Sequence, residues 1–422
     1  MRIFNKLMTN KVKAPEKQPF SLVSFNNGLR VVCRRREGFV SYIGVVVNAG
    51  SRDEDLEHEG LAHFVEHTIF KGTDRRRAWQ ISSRMETVGG ELNAYTSKEE
   101  TMVYTNAPAG NEDRALDLLA DLVTSSRFPE LEINKEREVI VEEIYSYLDS
   151  PSERVYDEFE ELAYKGSDLS HNILGSPESV RKIIGSDCRK FLDNFYEPVN
   201  MVVYCVTPLP VKEMIRKVER YFGNLPSVPV MHNRIVPPPM SHFDELRDNG
   251  THQANTITGV RAFGRKDERR FALFLLNNYL GGPCMNSKLN RELREKRGYV
   301  YAVESNVSLL SDTGLLIIYF GCDPSNVKKC RKLINREVDF LCENKLSDSA
   351  FEKIKRQYCG QLLSTSDHIE NRAMSMGKSV LYFNEVYDPS LTAERIMAVT
   401  PEELRQVAVD VFSEGLSTLT LT

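Results

Sequence analysis

An α+β fold of two similar domains, each a mostly antiparallel sheet packed with helices, is the expectation from this sequence, and three observations carry it. The chain has 422 residues, more than one hydrophobic core ordinarily holds, so it should divide in two. Strand-like and helix-like stretches alternate along it, with hairpins among them, which is how sheets covered by helices are written. The same alternation returns after a proline-rich break near the middle, although no residue-level repeat connects the halves. Hydrophobic residues make up 41% and charged residues 27%. Those are globular values, so disorder is set aside for most of the length.

Residues 1–17 read as a flexible leader, basic until Glu16. The N-terminal domain is expected over 18–226. FSLVSFNNGLRVVCRRR is a hairpin around the Asn27-Gly28 turn, and SYIGVVVNAGS is a nearly all-apolar strand suited to a sheet interior. A helix is expected from Gly60 to about Lys71. ETVGGELNAYTSKEETMVYTNAP supplies two strands around a polar turn. Helices are expected over 113–125 and 131–148, and a short one over 177–195 behind the Ser176-Pro177-Glu178 cap signal. The strand MVVYCVTP and the helix VKEMIRKVERYFGNLP complete this half. Five prolines between 226 and 239 mark a linker, placed at 227–244. The C-terminal domain, 245–422, then offers a strand (NTITGVRAF), helices over 270–281 and 286–296, strands YVYAVESNVSLL and GLLIIYFGC, helices near 326–343 and 348–364, and a last helix behind the Thr400-Pro401-Glu402-Glu403 capping box. STLTLT closes the chain as a strand.

A formal net charge of −5 gives no electrostatic reason to expect nucleic acid or an anionic membrane as partner. The eight cysteines are scattered and none forms a CxxC pair, the pattern of reduced thiols in a reducing compartment. No apolar run has signal-peptide or membrane-spanning length. The expectation is a cytoplasmic protein.

The strongest chemical signal is HFVEH, residues 63–67. On a helix His63 and His67 lie four apart on one face, so two imidazoles can reach one metal ion. Glu66 projects beside them, off the ligand line, where a carboxylate can take the proton of a water that zinc has made acidic. His58, His171, His232, His242, His252 and His368 are isolated and read as structural or exposed. A catalytic zinc needs a third protein ligand and an open position. The helix NKEREVIVEEIYSYL offers Glu136, Glu138, Glu142 and Glu143. Glu136 and Glu143 are two turns apart and share a face, whereas Glu142 points about 100° away from Glu143. Glu143 as ligand with Glu136 supporting it from behind is a coherent arrangement.

The segments HFVEHTIFKGT, GGELNAYTSKEET and EREVIVEEI, in that order, resemble the pitrilysin-type inverzincin zinc peptidases, the family that includes insulin-degrading enzyme and mitochondrial processing peptidase. The likeness runs from the FNNGLRVV hairpin into the C-terminal domain. It implies a zinc metalloendopeptidase with His63, His67 and Glu143 as ligands of one Zn2+ per chain, Glu66 as general base and Glu136 behind the site. It also implies that Asn93, Ala94 and Tyr95 lie on an open strand edge to which a peptide substrate adds.

In LREKRGYVYAV, Arg294 and Tyr301 match the family's Arg/Tyr pair; Arg297 and Tyr299 are the neighbouring alternatives. In active members such a pair reaches the substrate carbonyl, the phenol steadying an oxyanion and the arginine holding backbone oxygens. One chain here carries both HFVEH and the Arg/Tyr signature, at about half the length of the family's fused, clamshell-like members. It therefore reads as half of a clamshell: a homodimer in which each site joins one chain's zinc to the other's Arg294 and Tyr301. The rival readings are a silent recognition subunit of a heterodimer, against which the intact HFVEH argues, and a dedicated precursor-processing peptidase.

Overall fold

The computed structural model describes residues 20–55 and 57–422, so the expected leader over 1–17 lies outside the described residues. The first half runs β1 (Phe20–Ser24), β2 (Arg30–Arg35), β3 (Val40–Val47), a 3-10 turn (Ser51–Asp53), α1 (Leu61–Thr68), α2 (Ala78–Glu86), β4 (Glu91–Thr96), β5 (Thr101–Pro108), α3 (Glu112–Ser125), α4 (Glu130–Leu148) and α5 (Pro151–Ala163). It continues through a single turn (Pro177–Val180) to α6 (Gly185–Phe195), β6 (Met201–Thr207) and α7 (Val211–Phe222). The second half runs β7 (Asp244–Arg247), β8 (Ala254–Ala262), α8 (Arg270–Gly281), a π-helical turn (Asn290–Glu295), β9 (Val300–Leu309), β10 (Gly314–Cys322), α9 (Val327–Glu343), α10 (Asp348–Thr365), α11 (Ile369–Phe383), α12 (Pro389–Ala398), α13 (Pro401–Phe412) and β11 (Ser417–Leu421).

The fold is α+β in two halves, and their strand orders coincide. The first sheet is β1-β2-β6-β3-β5-β4 and the second β7-β11-β8-β10-β9. With β1 set aside, β2 to β6 and β7 to β11 occupy matching places. Each sheet has one parallel pair, β2 with β6 and β7 with β11, and is otherwise antiparallel. The repeat sought in the sequence is thus a repeat of topology. It makes β4 and β9 equivalent edge strands.

Each sheet buries both faces, because alternate residues of its strands point to opposite sides. In the first sheet Val31, Cys33, Ile43, Val45, Val203 and Cys205 pack against that half's own helices. The opposite face (Val32, Val46, Met102, Val202, Tyr204 and Val206) is covered by Ala373, Met376, Val380 and Leu381 of α11, from the other half. The second sheet returns the arrangement: Ile257, Leu315, Ile317, Leu419 and Leu421 lie under Val155, Phe159 and Ala163 of α5. Each half therefore lends one helix to the other. The Tyr204 ring is the closest contact of this kind. A Cβ at Gly44 on β3 or at Gly377 on α11 would lie 2.5 or 2.6 Å from it, so glycine is needed at both.

A buried ionic cluster also joins the halves. Arg52, 2% exposed, donates to Glu99 (2.8 Å), to Asp312 (2.7 and 2.8 Å) and to the carbonyl of Ile235 (2.7 Å). Glu99 in turn accepts from the amide and hydroxyl of Ser311 at 2.9 and 2.7 Å.

The stretch read as a linker carries no helix or strand from 223 to 243, and β7 begins at Asp244, the last residue of the expected range. The stretch is fastened down: Arg234 donates to Asp53 at 2.6 and 2.9 Å, and His232 pairs with Asp53 at 2.8 Å. Other expectations need correction. The helix expected over 177–195 breaks into two, and the one over 286–296 is a π-helical turn. The helices α2, α5, α11 and α12 were not foreseen. Among the described residues, no helix is long and apolar enough to cross a membrane.

Candidate metal centre

Gly60 opens α1 with φ +91, a conformation glycine adopts freely. Leu61, Ala62, Phe64 and Val65 are buried in the core. That anchoring turns His63 and His67 toward α4 with ring centroids 4.6 Å apart. On α4 the buried positions Ile133, Glu136, Ile140 and Ile144 form the inward stripe. Glu136 and Glu143 fall on this side, and Glu138 and Glu142 are exposed.

One nitrogen of each histidine and one Glu143 oxygen all lie within 4.8 Å of one another. Glu143 Oε2 is 3.4 Å from His67 Nε2 and 3.9 Å from His63 Nε2. Glu136 Oε2 meets His67 Nδ1 at 3.3 Å, and its other oxygen meets Lys71 Nζ at 2.5 Å. A proton held on Nδ1 by Glu136 leaves the Nε2 lone pair for a metal. Burial, and then the charge of His67, holds the His63 imidazole down to about 3, so it is a neutral donor at physiological pH. Two imidazoles and one carboxylate converging, with no fourth protein donor among the described residues, fit a catalytic zinc that keeps an open position.

Glu66 stands beside this group. Burial raises its carboxyl above the ordinary range, with Glu143 adding to the shift and His67 and Thr96 opposing it. Thr96 is the last residue of β4, so the carboxyl sits at the end of the edge strand. Asn93, Ala94 and Tyr95 lie within that strand, whose outer edge pairs with no strand among the described residues. Leu92 and Ala94 pack on the face of α1. Tyr95 packs on the opposite face, where its hydroxyl reaches Glu100 at 3.1 Å. By alternation Asn93 shares the Tyr95 face.

Arg294 and Tyr301 come together elsewhere, lining a depression of about 370 Å3 with Ser152, Tyr156, Glu304 and Tyr319. The Tyr301 ring lies across Gly321, and its hydroxyl is 3.3 Å from Asn255 Oδ1 and 3.4 Å from the Tyr319 hydroxyl. Of the alternatives, Arg297 is committed to Glu292 at 2.9 Å, and the Tyr299 ring faces Lys329 at 5.2 Å. Among the described residues, no hydrogen bond or ion pair joins Arg294 or Tyr301 to the HFVEH group. A cavity of about 600 Å3 lined by Asp55, His58, Asp187, Lys190 and Phe195 contains none of His63, Glu66, His67, Glu136 and Glu143.

Lys71 was missed in the sequence. The spacing 63, 67, 71 carries it one further turn along the histidine face, which was the available signal.

The two matching sheets and the histidine–histidine–glutamate group define the class: a two-domain α+β protein with a candidate zinc site. Comparison with known proteins agrees. Residues 30–177 match the insulinase (peptidase family M16) model and residues 183–358 the peptidase M16 inactive domain. The chain is 34% identical to an uncharacterised zinc protease of Streptomyces coelicolor, covering 91% of this chain and 85% of that one. It is 31% identical to the uncharacterised zinc protease YmxG of Bacillus subtilis, covering 92% and 94%. The fold matches a protease from Helicobacter pylori with a TM-score of 0.90 at 23% identity, over 96% of this chain and 99% of that one. The chain belongs to peptidase family M16.

Proposed function

We propose that this protein is a zinc endopeptidase acting on peptides and unfolded polypeptide segments. The observation that carries the reading is the convergence of His63, His67 and Glu143 on one point, with Glu66 beside them at the end of the free strand β4. An extended substrate adds to β4 through main-chain hydrogen bonds, which fix its direction without demanding a sequence. Bound by the three side chains, one zinc per protomer supplies Lewis acidity toward water and the scissile carbonyl. Glu66 receives the proton of the attacking water on its carboxylate and delivers it to the departing amine nitrogen.

Arg294 and Tyr301 act on the substrate bound at a partner's zinc, in a homodimer. The reading rests on the place of Tyr301 on the edge strand β9 of the second sheet and of Arg294 in the π-helical turn before it, away from this chain's own metal residues. Eight cysteines free of disulfides support a reducing, cytoplasmic setting.

The test is complementation. Glu66→Gln and Arg294→Ala/Tyr301→Phe proteins, each inactive alone on a fluorogenic peptide, are mixed and allowed to exchange subunits. Random pairing makes about half the dimers mixed, with one working site each, so about a quarter of wild-type activity returns. No recovery after verified exchange overturns the shared site. Retention of zinc and full activity by Glu66→Gln overturns the assignment of the base.

A further inference from the structure

The helix that carries both histidines cannot cap itself. Its N-cap is Gly60, which has no side chain. A larger residue is barred there, since a Cβ would fall 2.5 Å from the carbonyl oxygen of Leu174. Two amides at this end, those of Gly60 and Ala62, are instead taken by Glu54, reaching forward from the end of the 3-10 turn, while Leu61 N bonds the His58 carbonyl. Glu54 Oε2 accepts from Gly60 N at 2.8 Å and its Oε1 from Ala62 N at 2.6 Å. The Glu54 side chain is fully buried, and His171 Nε2 backs it at 3.2 Å while lying 3.0 Å from Ser51 O. The same framework touches the substrate strand's turn: Lys98 donates to the carbonyl of His171 at 2.5 Å, and the amides of Ser51 and Arg52 bond the carbonyls of Ser97 and Lys98 at 3.1 and 2.8 Å.

We propose that Glu54, backed by His171, is the positioning residue of the metal helix, fixing where His63, Glu66 and His67 stand relative to Glu143 and to the edge strand. A carboxylate shared by two helix-terminal amides is a strong anchor, because charge-assisted bonds and the helix dipole add. His63 and His67 lie only about one and two turns from this fixed end, so loosening it moves them against a Glu143 held on a different helix. The inference rests on the reading of His63, His67 and Glu143 as a zinc site.

The test measures zinc affinity by competition with a chromophoric chelator, alongside kcat and KM on a peptide. Glu54→Gln keeps shape and size but turns an amide NH2 toward a helix N–H. It should weaken zinc binding about tenfold to a hundredfold, the scale seen when groups supporting metal ligands are lost. With zinc saturating, kcat should fall while KM stays within about twofold, because β4 is untouched. His171→Gln should show the same change in smaller measure. Thr400→Ala, which removes the cap of remote α13, controls for general destabilisation: it should lower the melting temperature and leave zinc affinity unchanged. If Glu54→Gln is folded by circular dichroism and binds zinc as tightly as wild type, the positioning role is overturned. If wild type itself binds no zinc, it is the underlying reading of the metal site that fails. Equal losses of zinc affinity in Glu54→Gln and Thr400→Ala would also overturn the proposal, by making the effect one of stability alone.

Discussion

Arg52 and Asp312 form a two-bonded ion pair, 2.7 and 2.8 Å, between residues 260 positions apart. One partner precedes the metal helix and the other sits in the β9–β10 turn of the second half. With the guanidinium buried, the pair acts as a clasp between the halves. Asp312→Ala leaves that charge short of a partner, though Glu99 remains at 2.8 Å. The expected loss is about 3 kcal/mol, the lower end for breaking a buried pair. Asp113→Ala, which removes a half-exposed surface partner of Lys217 and Arg220, should cost less than about 1 kcal/mol. Urea unfolding of the two variants compares them directly, and equal losses would rule out the clasp.

Glu136 touches His67 and Lys71 and stands behind the metal group. Glu136→Gln should therefore weaken zinc binding by about tenfold to a hundredfold, whereas Glu138→Gln, on the exposed side of α4, should not change it. Isothermal titration of the zinc-free protein reads both. Unchanged affinity in Glu136→Gln would mean that the His67 orientation is fixed by packing alone.

The zinc-free protein should lose stability in mild acid through His63. Its imidazole is held down to about 3 in the folded chain, against an ordinary value of 6.5. Between those values the unfolded chain binds a proton that the folded chain does not, so stability rises with pH across the window. The contribution is complete above about pH 6.5 and is lost as pH falls toward 3, with a slope of up to about 1.4 kcal/mol per pH unit. His63→Asn should flatten the pH dependence of the urea midpoint in this range. An identical slope in the variant would show that other groups carry it.

Gly377 pits two effects against each other. Alanine in mid-helix should stabilise α11 by about 1 kcal/mol. A Cβ there, however, would lie 2.6 Å from the Tyr204 ring and 3.0 Å from Val46. Overpacking costs about 1–3 kcal/mol, so the packing term should win and Gly377→Ala should lower the melting temperature. A rise would mean that α11 is not seated tightly on the first sheet.

Most of the fold was legible because its signals are local. The hairpin around Asn27-Gly28, the apolar run of β3 and the Thr400 capping box each declare themselves within a few residues. At the metal group, the four-residue spacing of His63 and His67 and the seven-residue spacing of Glu136 and Glu143 translate directly into shared helix faces. The unforeseen elements depend on distant partners. In α11 the buried positions Ala373, Met376, Val380 and Leu381 have helical spacing, but Gly377 in their midst lowers helix propensity, and the space it leaves is filled by Tyr204 from the other half. Glu54 is one acid among several around Asp53 and Asp55. Only the tertiary return of the loop sets it on the amides of Gly60 and Ala62. Proline content in the linker signals a break in regular structure and says nothing of what fastens the break down, so the bonds of Arg234 and His232 to Asp53 were not legible.

The lending of helices between halves has a consequence for synthesis on the ribosome. The strands of the first sheet are complete once β6 has emerged, yet α11, which covers their outer face, follows only after roughly 170 further residues. At about 5–20 residues per second that interval lasts on the order of ten to thirty seconds. Throughout it Val32, Val46, Met102, Val202 and Tyr204 have no native cover. The growing chain thus presents a sticky half-built sheet to the crowded cell. Its yield should depend on the holding chaperones at the exit tunnel more than the stability of the finished protein would suggest.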